Sequence, residues 1–208
     1  MDSEEKQTIS LDEIIWPNDY EIDQVKYQPL PKEKIMSTII SVILSPREVS
    51  DCEQAAMFRW QLARASGVVN QRRDDRSDND IDLLGLKAEL AVSKLFNIKH
   101  DVFRFGVDSG IDMWLDDFSI DVKATFHKNG HLLFKDIESF RSDFAVLVTQ
   151  EGPNEPLNIV GFCSKKKFAS LAEPKDFGHG VGVALHQSNL QPMHILWQHW
   201  AEKLSYKG

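Results

Sequence analysis

Residues 110–124 read GIDMWLDDFSIDVKA and contain two short runs in which apolar and polar side chains alternate on either side of Asp116-Asp117. Such alternation is typical of half-buried strands, and an acidic turn between two alternating runs predicts a β-hairpin. With Asp116-Asp117 as the turn, Asp112 lies opposite Asp121. We expect the rest of the chain to be organised around this strand pair.

The predicted hairpin has one polar face and one apolar face, because side chains alternate along a strand. Two carboxylates directly opposite each other lie about 5 Å apart at Cβ and repel unless a cation separates them. The pattern therefore predicts a metal site on the polar face. That face holds Asp112, Trp114, Ser119, Asp121 and Lys123, and the apolar face holds Met113, Ile120 and Val122.

A helix is predicted from Leu83 to Phe96, ahead of the hairpin, and it contains an acid on its apolar side. Glu89 lies three residues from both Leu86 and Val92, so its carboxylate lies on or beside the buried stripe. A buried acid needs a partner. We expect a cation held by the hairpin to supply one.

The arrangement of an acid on one strand and Asp-x-Lys on the next resembles the PD-(D/E)xK nuclease superfamily in its phage and bacterial forms. The acid here is Asp112, and the Asp-x-Lys motif is Asp121-Val122-Lys123. Gly110-Ile111 stands where the family motif has its proline, a residue that binds no metal. Of the other Asp/Glu-x-Lys matches, one lies in the polar N-terminus and one contains a proline that argues against an interior strand.

The resemblance implies an α/β protein with a restriction-endonuclease-like core, in which helices flank a mixed β-sheet, preceded by an N-terminal extension. It implies Mg²⁺-dependent hydrolysis of DNA phosphodiesters, with Mn²⁺ able to substitute. The metal would be held by hard oxygen ligands from Asp112, Asp121, Glu89 and the Val122 carbonyl. Lys123 would assist the attacking water and stabilise charge on the phosphate.

Other polar residues are candidates for DNA contact, although each also suits an ordinary solvated surface. Hydroxyls near the hairpin and basic side chains can bind phosphate oxygens. The candidates are Ser119, Thr125, His127, His131, Lys165, Lys166, Lys167, Arg72, Arg73 and Arg76.

The chain divides into an acidic arm, residues 1–45, and a nuclease-like domain, residues 46–208. Ser45-Pro46 with Glu48 predicts the start of a helix that runs to about Ser66 and stops at Gly67. We expect a loop at 70–80 and a helix from Lys165 capped by Ser164. Further strands are predicted at 38–44, 102–107, 143–149 and 157–163, a loop at 178–182, and a last helix at 192–204.

Composition narrows the class of protein without deciding its function. The 208 residues are 42% hydrophobic and 27% charged, with two cysteines and no long apolar run, so we expect a cytoplasmic protein without membrane contact. The net charge of −8 argues against a strong non-specific hold on nucleic acid. A non-catalytic nucleic-acid-binding protein and a protein-interaction module therefore stay open, as does a homodimer.

Overall fold

The computed structural model describes residues 9–10, 39–65, 78–103, 110–176, 178 and 180–205, with the backbone alone at 9–10, 78, 199 and 201–205. The helices are α1 (Pro46–Ala65), α2 (Asp78–Leu95), α3 (Lys165–Leu171) and α4 (Met193–Ser205). The strands are β1 (Ile9–Ser10), β2 (Ile40–Val42), β3 (Met113–Leu115), β4 (Phe118–Thr125), β5 (His131–Phe134), β6 (Phe144–Thr149), β7 (Leu157–Ser164), β8 (Glu173–Asp176) and β9 (Val181–His186).

The strands form two sheets. The larger has the order β1-β2-β7-β6-β4-β3, and the smaller has the order β5-β9-β8. In the larger sheet β4 runs parallel to β6, and β3 and β7 run antiparallel to their neighbours β4 and β6. The predicted α/β class, a mixed sheet flanked by helices, is confirmed.

Each face of the six-stranded sheet is covered by a separate hydrophobic core. On one face α2 and α4 pack against inward side chains of the sheet, including Ile120 and Val146. On the other face β5, β9 and α3 pack against Ala145 and Leu147. Helix α1 packs on α2 through a smaller cluster around Cys52. The hairpin strand β4 is therefore buried between two layers.

The predicted hairpin is confirmed in position and register. Met113 pairs with Ile120, and Leu115 pairs with Phe118 across the turn. Met113, Ile120 and Val122 are buried against α2, as the alternation predicted. Of the predicted polar face, Trp114 is exposed.

Both predicted helix caps are also confirmed. Ser45 and Glu48 form a capping box: the Ser45 amide donates to Glu48 Oε2 at 2.7 Å, and the Glu48 amide donates to Ser45 Oγ at 3.3 Å. The hydroxyl of Ser164 accepts from the amide of Lys167 at 3.3 Å and begins α3. The sequence located these ends because capping depends on neighbouring residues alone.

Some boundaries differ from the predictions. Helix α2 begins at Asp78, so the end of the predicted loop at 70–80 is helical, with Asp80 in the first turn, where the helix dipole favours an acid. Residues 102–103 form a turn and not the start of a strand, and 104–109 lie outside the described residues.

The sheets differ from the predictions in two ways. Strand β2 falls within the strand predicted at 38–44, but it lies inside the larger sheet between β1 and β7 and not in a separate arm. Strands β5, β8 and β9 were missed, and β9 replaces the end of the loop predicted at 178–182. Strand β8 holds the proline-containing Glu173-Pro174-Lys175 and lies at a sheet edge, where proline is tolerated.

Candidate functional site

An ion pair on β4 forms the centre of the candidate site. Asp121 and Lys123 are two residues apart on one strand face, and Lys123 Nζ lies 2.6 Å from Asp121 Oδ1. The side chain of Asp121 is 3% exposed, whereas that of Lys123 is 37% exposed. Lys123 Nζ also lies 5.0 Å from the ring centroid of Phe134. The pair thus joins a buried carboxylate to an ammonium that reaches solvent.

The register of β4 and β6 shows which face of the sheet carries this pair. Asp121 pairs with Ala145 and Lys123 pairs with Leu147, and both partners belong to the core under the smaller sheet. Because alternate residues of a strand point to opposite faces, the pair lies on the side of β5 and away from α2.

Asp112 lies just before β3 and bonds to β4 on both sides of Asp121. Its amide donates to the carbonyl of Ile120 at 2.9 Å, and its Oδ2 accepts from the amide of Val122 at 2.6 Å. The structure therefore brings Asp112 to the stretch of β4 that carries Asp121, as the predicted pairing required, although its carboxylate is bonded to the backbone.

Glu89 has partners on the other side of the molecule from the ion pair. Its carboxylate lies 3.3 Å from His100 Nε2 and 4.0 Å from Arg59 NH1 on α1, and its side chain is 14% exposed. The contact with His100 lacks hydrogen-bond geometry, so that buried ring nitrogen has no hydrogen-bond partner. The sequence predicted the burial of Glu89 but not these partners.

The acids do not form one compact group of ligands. Within the described ranges, no three His, Cys, Asp or Glu side chains are placed to hold a metal together. The hairpin brings Asp112 and Asp121 together with Lys123, and α2, which carries Glu89, packs on the opposite face of the sheet. Two carboxylates and one lysine are thus the set that the fold assembles.

Ser119, predicted to contact phosphate, is buried and bonded to an acid that sequence analysis did not single out. Its amide and its hydroxyl donate to Asp143 Oδ2 at 2.9 and 2.7 Å. The amide hydrogen bond, followed by that of the hydroxyl, lowers the pKa of Asp143. The position of Asp143 immediately before a continuous apolar strand was the available signal.

The candidates that follow the hairpin lie near the ends of β4 and β5. Thr125 Oγ1 accepts from the amide of His127 at 3.2 Å. His131 begins β5, with Nε2 3.0 Å from Lys175 Nζ and its ring centroid 4.9 Å from that of His186. Burial, and then the charges of Lys175 and His186, lower the pKa of His131.

The structure describes some of the basic candidates and not others. Lys165, Lys166 and Lys167 form the first turn of α3, where Lys165 and Lys166 are exposed. The amide of Lys165 donates to the carbonyl of Asp143 at 3.0 Å, which ties this turn to the start of β6. Arg72, Arg73 and Arg76 lie outside the described residues.

Comparison with known proteins adds no relative. No family model, no curated protein and no solved structure matches this chain. In the described part of the chain, none of the helices has the length and apolar character needed to cross a membrane.

Proposed function

We propose that this protein is a metal-dependent DNA nuclease with a restriction-endonuclease-like core. The observation that carries the proposal is the ion pair of Asp121 and Lys123 on β4, with Asp112 bonded to the same stretch of strand. These are the three positions at which the hairpin resembles the PD-(D/E)xK motif.

The burial of this pair supports a functional role. Removing a carboxylate from water costs several kcal/mol, and apolar residues of similar volume often stabilise a fold as well or better. Asp121 is 3% exposed beside apolar neighbours such as Ala145. Charged groups placed at such cost are concentrated at functional sites.

The ligand chemistry of the site fits a magnesium ion. Proteins bind Mg²⁺ through one or two carboxylates while the ion keeps several waters. Asp112 and Asp121 would supply the carboxylates, and the Val122 carbonyl a further hard oxygen. When bound, the ion would polarise the phosphate and lower the pKa of a bound water. Glu89 is not part of this proposed ligand set, because α2 holds its carboxylate near His100 and Arg59 on the opposite face of the sheet.

Lys123 is suited to hold the reacting groups. An ammonium has three donors, and Asp121 Oδ1 accepts one of them. The remaining donors, on a side chain that is 37% exposed, can bind an attacking water and a phosphate oxygen. A fixed positive charge at this position stabilises the negative charge that develops on the phosphate. The exposed lysines of α3 offer contacts to the DNA backbone.

A non-catalytic nucleic-acid-binding protein on the same fold is the second candidate. The observed ion pair favours this candidate, because Lys123 already neutralises the negative charge of Asp121. In that case Asp121 is structural, and nucleic acid binds without metal. A protein-interaction module is the third candidate, and the exposed apolar side chains of Met57, Phe58 and Leu62 on α1 favour it.

The test is cleavage of plasmid DNA and of single-stranded, double-stranded and branched oligonucleotides with Mg²⁺, Mn²⁺ or EDTA. We expect the wild type to cut with either metal and not with EDTA, and Asp121→Ala and Lys123→Ala to abolish cutting while circular dichroism shows a folded chain. Lys128→Ala is the matched control, because the side chain of Lys128 is 69% exposed and pairs with Glu151. It should cut normally.

Full activity in Asp121→Ala would end the nuclease proposal. If no substrate is cut with any metal, gel-shift measurements on the same samples separate the alternatives. Metal-independent binding of DNA would favour the second candidate. An oligomer without affinity for DNA would favour the third.

A further inference from the structure

A cleft lies at one end of the strands of the larger sheet, away from the Asp121–Lys123 pair. It has a volume of about 230 Å³ and opens between the first half of α2, Phe126 and the 150–153 turn. Phe126 and Gln150 directly follow β4 and β6, which run parallel. The cleft is therefore at the carboxyl ends of adjacent parallel strands, the edge at which open α/β sheets commonly bind ligands.

A buried lysine forms part of the wall of this cleft. Lys87 is 4% exposed, and its Nζ donates to the carbonyl of Pro153 at 3.4 Å, a long hydrogen bond. Among the residues that the structure describes, no carboxylate forms an ion pair with it. An ammonium has three donors and is costly to bury without a counter-charge. The cleft thus contains a buried positive charge with unused donors.

The other walls define what the ligand must look like. Leu83, Leu84, Phe126 and Pro153 are apolar, so they suit a hydrocarbon or aromatic body. Two acids, Asp80 and Glu151, also line the cleft, and both are exposed. Lys128 lies 3.7 Å from the Glu151 carboxylate. These acids disfavour a ligand with a second negative charge at the exposed end of the cleft. The volume is below the range of drug-sized sites and suits a small molecule.

We propose that this cleft binds a small organic anion with an apolar body, whose carboxylate or phosphate group pairs with Lys87. The proposal is independent of the nuclease function, because it uses no residue of the Asp121–Lys123 pair. The anionic group would take the free donors of the Lys87 ammonium, while Leu84 and Phe126 cover the body. A carboxylic acid and a phosphate monoester share this chemistry.

Variants of Lys87 distinguish a ligand site from a purely structural lysine. Lys87→Met removes both the charge and the donor to Pro153. Lys87→Gln removes the charge but keeps an N–H donor for the Pro153 carbonyl, so it remains informative if Lys87→Met does not fold. Lys94→Met is the matched control from the same helix, because Lys94 pairs with Glu48 at 2.8 Å and does not line the cleft.

The experiment titrates the full chain with benzoate, phenyl phosphate and inorganic phosphate, followed by amide NMR and thermal unfolding. We expect saturable shifts at Phe126 and residues 150–152 and a rise in melting temperature with benzoate or phenyl phosphate. The tighter of the two identifies the anionic group, and inorganic phosphate should bind more weakly than phenyl phosphate because it lacks the apolar body.

The lysine variants give the decisive comparison. Lys87→Gln should weaken binding by about tenfold or more, as expected for the loss of one charge-assisted hydrogen bond. Lys94→Met should bind like the wild type. Equal binding by Lys87→Gln and the wild type would overturn the proposal, and so would the absence of saturable binding by either organic probe to the wild type.

Discussion

The carboxylate of Asp112 accepts a hydrogen bond from the backbone amide of Val122, with 2.6 Å between Oδ2 and the nitrogen. Strand pairing between β3 and β4 ends at Met113. Beyond that point, the Asp112 side chain takes the place of a backbone acceptor for the Val122 amide of β4. Val122 is buried. Asp112 therefore has a structural role beside its proposed role as a metal ligand.

The Asp112–Val122 contact predicts a stability difference between two substitutions. Asp112→Ala leaves a buried amide without its acceptor and should lower the free energy of unfolding by about 1–3 kcal/mol. Asp112→Asn keeps an acceptor oxygen and should cost less. Urea unfolding of the two variants measures the difference in their free energies of unfolding. The slope of this free energy against urea concentration should be the same in both variants. Equal stability of Asp112→Ala and the wild type would show that the contact contributes nothing.

The Asp121–Lys123 pair predicts strong coupling in a double-mutant cycle. Lys123→Met leaves a buried carboxylate without its counter-charge and should destabilise the fold by about 1–3 kcal/mol, below the usual cost for a fully buried pair because solvent reaches the ammonium. Adding Asp121→Asn should recover part of that loss. Denaturant unfolding of the two single variants and the double variant measures the coupling. Additive effects would contradict the interaction.

His131 predicts a pH dependence of stability. Its pKa in the folded chain lies below the ordinary value of 6.5, so between the two values the unfolded chain binds more protons. The contribution of His131 to the free energy of unfolding is complete above about pH 6.5. It is lost as the pH falls through the pKa of His131 in the folded chain.

The largest cause of this lowered pKa is burial, and the second cause, the charge of Lys175, is tested by removing that charge. Lys175→Met should move the pKa of His131 back toward 6.5, because the lysine Nζ lies 3.0 Å from the ring. NMR titration of the histidine ring protons measures the value. Lys128→Met, which alters a lysine paired with Glu151, is the control and should leave the titration unchanged. An unchanged pKa in Lys175→Met would exclude the lysine as a cause.

Two glycines predict opposite responses to alanine. A Cβ at Gly161 would lie 2.6 Å from the carbonyl oxygen of Gln191, so Gly161→Ala should destabilise by about 1–3 kcal/mol. A Cβ at Gly85, inside α2, meets nothing within 4 Å, so Gly85→Ala should stabilise by about 0.5–1 kcal/mol. Thermal unfolding compares the pair. Similar shifts in both variants would contradict the close contact at Gly161.

Local sequence patterns predicted the features that depend on near neighbours in the chain. The turn at Asp116-Asp117 and the buried face of β4 followed from alternation with a period of two. The capping box at Ser45 and the cap at Ser164 followed from residues within one helical turn. The proximity of Asp112 and Asp121 was predicted for the same reason, because both belong to one hairpin.

Features that depend on distant parts of the chain were not predictable in this way. The partners of Glu89 come from α1 and from His100, and the acceptor of the Ser119 hydroxyl comes from Asp143 at the start of β6. The sequences of the short strands β5 and β9 lack a distinctive alternation of apolar and polar residues. These strands are stabilised by pairing with each other.

The sequence by itself determined the hairpin, its register and the alignment of Asp121 with Lys123 on one strand face, because a strand fixes the direction of every second side chain. Only the tertiary structure decided that this face lies under the smaller sheet, that Glu89 is on the opposite side, and that Lys87 is buried in a cleft. Those outcomes depend on which elements cover each face of the sheet, and packing between distant segments leaves no local pattern in the chain.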